Sequence, residues 1–280
     1  MKQLQEVISG LYGGFDGLED FVRKAHAVDY DGTRAMFEAF RVRVPKSTGI
    51  VQWMLNSAWP SLYWQQYDWY GAPTAGYYGT KKACEPRQLL FDYATRKVYA
   101  VNESGDAEPR AMQASVKVFD SNSRLIGQET KAVKVGYRDV VPVFDLKRFD
   151  GKPHFVALTL TDGNGLAVDN FYVLPAKDNE YDWKKTNWYI TPITGYADLG
   201  FAFRQDKADV EMTVAGNEIT LENKSGVIAY MNILKAKDAA GNLVTPAYWS
   251  NNFFPLLPGE KKTVTCRTDA KDIHFELDRP

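Results

Sequence analysis

The stretch HFVALTLTDGNGLAVDNFYVLP, residues 154–175, decides the fold class of this chain. Apolar and polar residues alternate with a period of two on both sides of the turn-forming residues Asp162 to Gly165. Successive side chains of a strand point to opposite faces of a sheet, so this alternation indicates half-buried strands. The stretch therefore predicts two strands joined by a turn.

The same pattern continues outward from this hairpin over residues 87–175. Three further segments alternate in the same way: RQLLFDYATRKVYAVNESG (87–105), AMQASVKVFDSNSRLIG (111–127) and QETKAVKVG (128–136). Turn signals such as Asp120 to Asn122 separate them. Short alternating strands at this spacing predict a β-sandwich over residues 87–175.

A second set of β segments occupies residues 199–280. It begins with DVEMTVAGNEITLENKSG (209–226) and AYMNILKAKDAAGNLV (229–244), and ends with TVTCRTDA and DIHFELD. The two sets have similar lengths but no clear shared sequence, which indicates similar architecture and not a repeat. Between them, AKDNEYDWKKTNWYITPITGYAD (176–198) is polar and helix-poor, and predicts a linker that wraps on its neighbours.

The first 83 residues follow a different pattern. Residues 16–43 predict a helix, with Leu18, Phe21, Val22 and Ala25 on one face and Met36, Phe37 and Phe40 continuing that stripe. The run GIVQWMLN (49–56) is almost unbroken in its apolar character and predicts a strand buried on both faces of a parallel sheet. TAGYYGTKKAC (74–84), bounded by Pro73 and Pro86, predicts a second helix. A helix, a buried strand and a helix are typical of alternating β/α architecture.

Composition narrows the classes of partner. The 280 residues correspond to about two domains, and 34 basic against 35 acidic residues give a formal charge of −1. We therefore expect neither a nucleic acid nor an anionic membrane as partner. No apolar run approaches the roughly 20 residues of a membrane span, and the start, MKQLQEVISGLYGG, has no export-signal pattern. Cys84 and Cys266 suggest neither a disulfide framework nor a zinc site, and we expect no metal or cofactor.

Aromatic residues make up 14% of the chain and concentrate in one stretch. Nine lie between residues 53 and 78: Trp53, Trp59, Tyr63, Trp64, Tyr67, Trp69, Tyr70, Tyr77 and Tyr78. Flat rings with polar edges suit sugar rings, whose C–H groups pack on the aromatic face. Packing against a neighbouring domain is the alternative. Asn56, Ser57 and Trp59 directly follow the predicted strand, and such positions line the active-site face of β/α barrels.

Three runs carry a family resemblance: YGGFDGLEDFVRKAHAVDYDGTRAMFEAFRVR (12–43), STGIVQWMLNSAWPSLYWQQYDWY (47–70) and AGYYGTKKACEP (75–86). Together they resemble the end of the catalytic barrel in family 2 glycoside hydrolases. The resemblance is closest to the exo-β-D-glucosaminidase branch, with β-mannosidases as near relatives. WSNNFFPLLPGEKKTV (249–264) resembles the last β-domain of that family.

The resemblance implies a mainly β fold. Two immunoglobulin-like β-sandwiches, at 87–175 and 199–280, would be preceded by a helix-strand-helix remnant of a (β/α)8 barrel at 1–83, with the linker at 176–198 between them. Its single strand would correspond to the eighth of the barrel.

The family's general acid follows an Asn after strand four, and its nucleophilic Glu follows strand seven, so neither position is expected in this chain. Asn179-Glu180 repeats the Asn-Glu dipeptide outside any barrel strand and is interpreted as coincidence. Glu38 is expected to be solvated or paired within its helix.

For function, the resemblance implies a retaining hydrolase of terminal β-linked glucosamine or mannose. The intact enzyme would be periplasmic or secreted. This chain alone would be inactive, and its partners would be the oligosaccharide substrate and the missing N-terminal barrel and domains.

Four residues are expected to contact substrate in the intact enzyme: Trp53, Asn56, Trp59 and Asp68. Trp53 or Trp59 would be a stacking platform, with packing inside the barrel as the alternative, and Asp68 would accept a substrate hydroxyl or cap its own loop. Two other functions stay open. One is an accessory carbohydrate-binding module that acts through Trp59, Trp69 or Trp249, the last of which could equally pack in a core. The other is a purely structural role.

Overall fold

A computed structural model describes residues 2–60, 64–105, 110–165, 167–204 and 208–278. The chain forms two compact units, and each unit joins two separate segments of sequence. The first unit comprises Met1–Lys24 and Pro86–Arg204, and the second comprises Ala25–Glu85 and Gln205–Pro280.

Three α-helices lie in the N-terminal part of the chain: α1 (Lys2–Tyr12), α2 (Gly17–Arg41) and α3 (Ala75–Ala83). The helix predicted over residues 16–43 forms α2. At its start, Asp20 Oδ2 accepts a hydrogen bond from the Asp16 backbone N–H at 2.9 Å. Sequence analysis missed α1. Its Ile8, Leu11 and Tyr12 are buried, and their helical spacing was the available sequence signal for this helix.

The apolar stripe of α2 is only partly covered. Phe21 and Phe37 are buried, whereas the side chains of Leu18, Val22, Met36 and Phe40 are exposed. Conversely, the polar residues Arg34, Glu38 and Arg41 are buried. Glu38 is therefore not solvated, because the face of α2 that packs inside the second unit includes polar positions. Pairing within the helix, the other expectation for Glu38, stays a prediction.

The β-sandwich of the first unit contains, within the described ranges, seven antiparallel strands: β1 (Arg87–Asp92), β2 (Lys97–Asn102), β3 (Arg110–Asp120), β4 (Leu125–Val135), β5 (Val140–Asp145), β6 (His154–Asp162) and β7 (Ala167–Leu174). They form two sheets, ordered β1-β2-β5 and β4-β3-β6-β7. One core contains apolar side chains from both sheets, with Leu89, Phe91 and Val98 on one side and Val116 and Leu158 on the other. The alternating pattern of residues 87–175 thus forms a two-sheet sandwich.

Residues 176–198 contain a short hairpin. Strand β8 (Glu180–Tyr181) pairs antiparallel with β9 (Ile193–Gly195). The sequence analysis did not predict this hairpin, although Asp, Asn and Thr are residues that close tight turns. A linker between the two β segments stays a prediction.

The second unit contains the remaining strands: β10 (Val210–Ala215), β11 (Glu218–Asn223), β12 (Ala229–Lys237), β13 (Tyr248–Trp249), β14 (Phe254–Leu256), β15 (Lys261–Arg267) and β16 (His274–Asp278). They form two sheets, ordered β10-β11-β15-β13 and β14-β12-β16. The Trp249 ring contacts the Phe275 ring edge-on at 5.4 Å and so joins the sheets. Strand β12 is buried along most of its length, and the hydroxyl of its Tyr230 donates a hydrogen bond to Asp31 of α2.

The strand predicted at Gly49–Asn56 does not form. This segment is irregular, and the one bridge found there in the described part of the chain pairs Asn56 with Tyr67. Val51, Met54 and Leu55 are exposed. A buried strand needs neighbours for its N–H and C=O groups, and an apolar run alone does not reveal whether the chain supplies them.

No helix in the described ranges has both the length and the apolar character to cross a membrane.

Candidate functional site

The aromatic stretch is fixed at one end by backbone hydrogen bonds. The Tyr67 N–H donates to Leu55 O at 2.8 Å, and the Thr74 N–H donates to Gln66 O at 3.0 Å. The Thr74 hydroxyl also donates to Gln65 O at 2.8 Å and accepts from the Tyr77 N–H, which caps α3. Residues 65–74 are therefore held against the start of α3.

Asp68 is the capping residue of this loop. Its Oδ1 accepts hydrogen bonds from the backbone N–H groups of Tyr70 and Ala72, both at 2.9 Å. The Asp68 N–H donates to Ala72 O, and Gly71 adopts a φ of 82°, a left-handed conformation that favours glycine. Of the two readings of Asp68, this geometry supports loop capping.

The other three predicted site residues lie in the less restrained part of the stretch. Trp53 is 80% exposed and Trp59 is 68% exposed, so neither ring packs in a core of this chain. Asn56 is exposed, and its Nδ2 donates to Ser57 O at 3.3 Å. Both tryptophan rings thus lie at the surface of the part of the chain that the structure describes. Tyr63 lies outside the described residues.

Tyr67, Tyr77 and Tyr78 contact one another, whereas Tyr70 is exposed. The Tyr67 and Tyr77 rings lie 5.3 Å apart, the Tyr77 and Tyr78 rings 5.1 Å, and the Tyr78 ring lies 5.6 Å from that of Phe253. Burial raises the pKa of Tyr67 to about 12. The Tyr67 phenol therefore stays protonated at neutral pH, and the row of rings connects α3 to Phe253 of the second unit.

Trp249 belongs to the core. It is 6% exposed, and its carbonyl accepts a hydrogen bond from Lys81 Nζ at 3.2 Å. The alternative in which Trp249 packs in a core is therefore the correct one.

Two half-buried carboxylates of α2 contact other residues of the second unit. Asp29 Oδ2 accepts the Gly76 N–H at 2.7 Å, at the start of α3, and burial raises the pKa of Asp29 to about 6. Asp31 contacts Arg34 at 2.8 Å and accepts the Tyr230 hydroxyl at 3.3 Å, and burial raises its pKa as well. Each carboxylate has partners that join elements of the second unit, which gives it a structural role.

A cleft of about 480 Å³ lies elsewhere in the second unit, between the turn at Gly216–Asn217 and residues 268–275. Burial raises the pKa of the Cys266 thiol, which lines it, to about 11. This thiol is protonated and unsuited to nucleophilic attack. Among the residues that the structure describes, no group of three or more His, Cys, Asp or Glu side chains could hold a metal ion.

The hairpin at 180–195 carries exposed aromatic residues that sequence analysis did not single out. Trp183, Trp188 and Tyr189 lie at its surface. The sequence signal for these residues is the occurrence of Asp-Trp and Asn-Trp-Tyr among turn-forming residues. It is weaker than the aromatic cluster at 53–78.

Comparison with known proteins finds similar sequences and structures among exo-β-D-glucosaminidases. Residues 188–277 match the family model of the exo-β-D-glucosaminidase Ig-fold domain. The exo-β-D-glucosaminidase of Arthroderma benhamiae is 32% identical over 267 residues, which are 89% of this chain and 30% of the relative. The chain thus spans about a third of the length of the curated relatives that it matches.

Solved structures of glycosidases also match this chain. The exo-chitosanase CsxA of Amycolatopsis orientalis superposes with a TM-score of 0.88 at 30% identity, over 99% of this chain and 36% of CsxA. The β-D-mannosidase of Dictyoglomus thermophilum shares the fold, with a TM-score of 0.70 at 16% identity over 99% of this chain and 32% of that enzyme. The fold is mainly β and immunoglobulin-like, with a few helices, as in the C-terminal region of CsxA. The chain is therefore similar, over almost its whole length, to the C-terminal part of a family 2 glycoside hydrolase of the exo-β-D-glucosaminidase type.

Proposed function

We propose that this chain is the C-terminal part of a retaining family 2 exo-β-glycosidase that releases terminal β-linked glucosamine from oligosaccharides. The observation that carries the proposal is the similarity to exo-β-D-glucosaminidases over 89% of the chain, which extends well beyond the matched Ig-fold domain. Mannose was the other sugar left open by the sequence. The likeness to a β-D-mannosidase supports a common fold only, so glucosamine is the better-supported substrate.

The catalytic carboxylates belong, in this proposal, to the part of the relatives that the chain does not match. A retaining glycosidase needs two carboxyl groups about 5–5.5 Å apart, one as acid and base and one as nucleophile. Asp29 and Asp31 hold structural partners instead. Glu180 is exposed, and its hydrogen bond to Lys177 keeps the pKa of Glu180 below its usual value, which opposes a role as general acid.

Residues 1–83 would form the end of the barrel in the intact enzyme. Exposed apolar side chains support this assignment, since Leu18 and Met36 of α2 and Val51 and Leu55 of the following segment have surfaces that a barrel would cover. Trp53 and Trp59 would then line the wall of the sugar-binding site, with Asn56 between them. The two sandwiches, at 87–175 and 199–280, would support the barrel.

Hydrolysis of p-nitrophenyl β-D-glucosaminide tests the proposal. The chain alone should release no p-nitrophenol, whereas the longest protein encoded in the same reading frame should release it, and should prefer the glucosaminide to the β-D-mannoside. Turnover by the chain alone would refute the assignment of the carboxylates. A preference for the mannoside would refute the assignment of the sugar, and an inactive longer protein would favour an accessory module.

A further inference from the structure

The hairpin of residues 180–195 is held rigid by its own hydrogen bonds. Above the β8–β9 pair, the Asp182 N–H donates to Pro192 O at 2.9 Å, and the Asn187 N–H donates to Ile190 O at 3.0 Å. Asn187 Oδ1 accepts the N–H groups of Tyr189 and Ile190, both at 3.0 Å. The conformation of the tip is therefore set before any ligand binds.

This rigid tip exposes large aromatic rings. Trp188 is 93% exposed and Trp183 is 71% exposed, and Tyr189 lies beside Trp188 with 4.7 Å between ring centroids. A second pair, Tyr181 and Trp183, lies 5.3 Å apart. Exposed aromatic surface of this extent on a soluble protein marks a binding site. Because the loop is already ordered, binding does not have to pay for ordering it.

The charges around the rings compensate one another. Residues 176–197 contain three lysines and three carboxylates. Lys177 pairs with Glu180 at 2.5 Å, Lys185 with Asp182 at 3.3 Å, and Asp178 with Arg96 at 3.5 Å. Since its carboxylates are matched by nearby cations, the hairpin gives no electrostatic advantage to a strongly charged ligand. Its chemistry fits an uncharged one.

We propose that this hairpin is a binding surface for an uncharged β-1,4-linked oligosaccharide of gluco configuration. In such a sugar the ring substituents are equatorial, so both faces carry axial C–H groups that pack on an indole ring. The hydroxyl rim meets the hydrogen-bonding edges of the rings, which are the Tyr189 hydroxyl and the indole N–H groups of Trp183 and Trp188. A polycationic glucosamine oligomer has the same ring shape but finds no uncompensated carboxylate.

The hairpin belongs to the first unit, whereas Trp53 and Trp59 of the proposed sugar-binding wall belong to the second. Binding here needs no catalytic group, so it is measurable on the full chain whether or not the proposed glycosidase function holds. Failure of one therefore leaves the other testable.

Calorimetric titration of the full chain with N-acetylchitohexaose tests the proposal. We expect weak saturable binding in the millimolar range or tighter, and Trp188→Ala should weaken it by at least about tenfold. Tyr137→Ala, which removes an exposed aromatic ring elsewhere in the first unit, is the control and should leave the affinity unchanged. Circular dichroism should show both variants folded.

Three results would overturn the proposal: no heat of binding at millimolar ligand, an equal loss of affinity in Tyr137→Ala, or equally tight binding of the fully deacetylated hexamer at a pH where its amines are charged. A concentration-dependent dimer that Trp188→Ala abolishes would instead identify a second copy of the chain as the occupant, and would also overturn it.

Discussion

Asp29 shows how one residue links pH to the packing of a helix. Its carboxyl is buried, it accepts the Gly76 N–H, and its pKa is raised from 3.8 to about 6. The folded chain therefore binds this proton more tightly than the unfolded chain does. The contribution of the group to the free energy of unfolding is greatest below about pH 4, and it is lost as the pH rises through about 6.

Asp29→Asn should remove this dependence while keeping an oxygen that accepts the Gly76 N–H. The wild-type chain should lose up to about 3 kcal/mol of stability from this group between about pH 4 and pH 7, and the variant should not. Urea unfolding across that range measures the slope.

Asp238→Asn is the control for that experiment. Asp238 is exposed, and side-chain and backbone hydrogen bonds from Asn242 lower its pKa, so its contribution changes with the opposite sign and at lower pH. A slope between pH 5 and 7 that Asp29→Asn leaves intact would contradict our interpretation of the buried carboxyl.

The role of a single residue could be predicted from the sequence where its partners lie close to it along the chain. The Asp68 to Gly71 spacing already contained the loop cap as an alternative, because the groups that bond to Asp68 lie within four residues of it. The choice between core and binding surface for Trp249 depended on Lys81 and Phe275, partners that no local pattern identifies.

At the scale of elements, close packing of α3 on α2 depends on a glycine. A Cβ atom at Gly79 would lie 2.5 Å from the backbone oxygen of Tyr30, and a backbone atom cannot swing aside as a side chain can. The contact therefore requires the absence of a side chain at this position.

Gly79→Ala should destabilise the protein by about 1–3 kcal/mol despite the better helix propensity of alanine. Gly32→Ala, inside α2, is the matched control because nothing lies within 4 Å of its added Cβ. It should stabilise by up to about 1 kcal/mol. Thermal unfolding of the two variants distinguishes them, and a stable Gly79→Ala protein would show that the helices separate at little cost.

The β elements were predictable because alternation is a local property of a half-buried strand. The irregular structure of residues 49–56 was not predictable. Their apolar run indicates that the side chains need to be covered, but it does not show whether the same chain provides the cover. The hairpin at 180–195 was missed for a related reason. Its stability comes from Asn187 and from pairing across the turn, and composition records neither.

At the scale of the whole molecule, the two exposed aromatic segments differ in how they are held. Residues 49–54 have no regular secondary structure, whereas the hairpin at 180–195 is closed by backbone hydrogen bonds. Exposure alone does not make a peptide bond cleavable, because a protease needs a segment that can adapt to its active site.

Limited chymotrypsin digestion should therefore cut first near Trp53 and Leu55, and later at Trp183 or Trp188. Mass spectrometry of early products identifies the sites. The nicked protein should keep its β-sheet circular dichroism, since no strand crosses the cut. Initial cleavage at Trp188 would contradict the preordered hairpin on which the proposed saccharide surface depends.

The interleaved units also set an order on folding during synthesis. The first unit is complete in sequence once Arg204 has left the ribosome, whereas the second needs residues 205–280 to join segment 25–85. The segment with Trp53 and Trp59 therefore emerges early, yet waits for the last quarter of the chain before its unit can close. Translation speed after Arg204, and any chaperone that shields apolar segments, should govern the yield of folded protein.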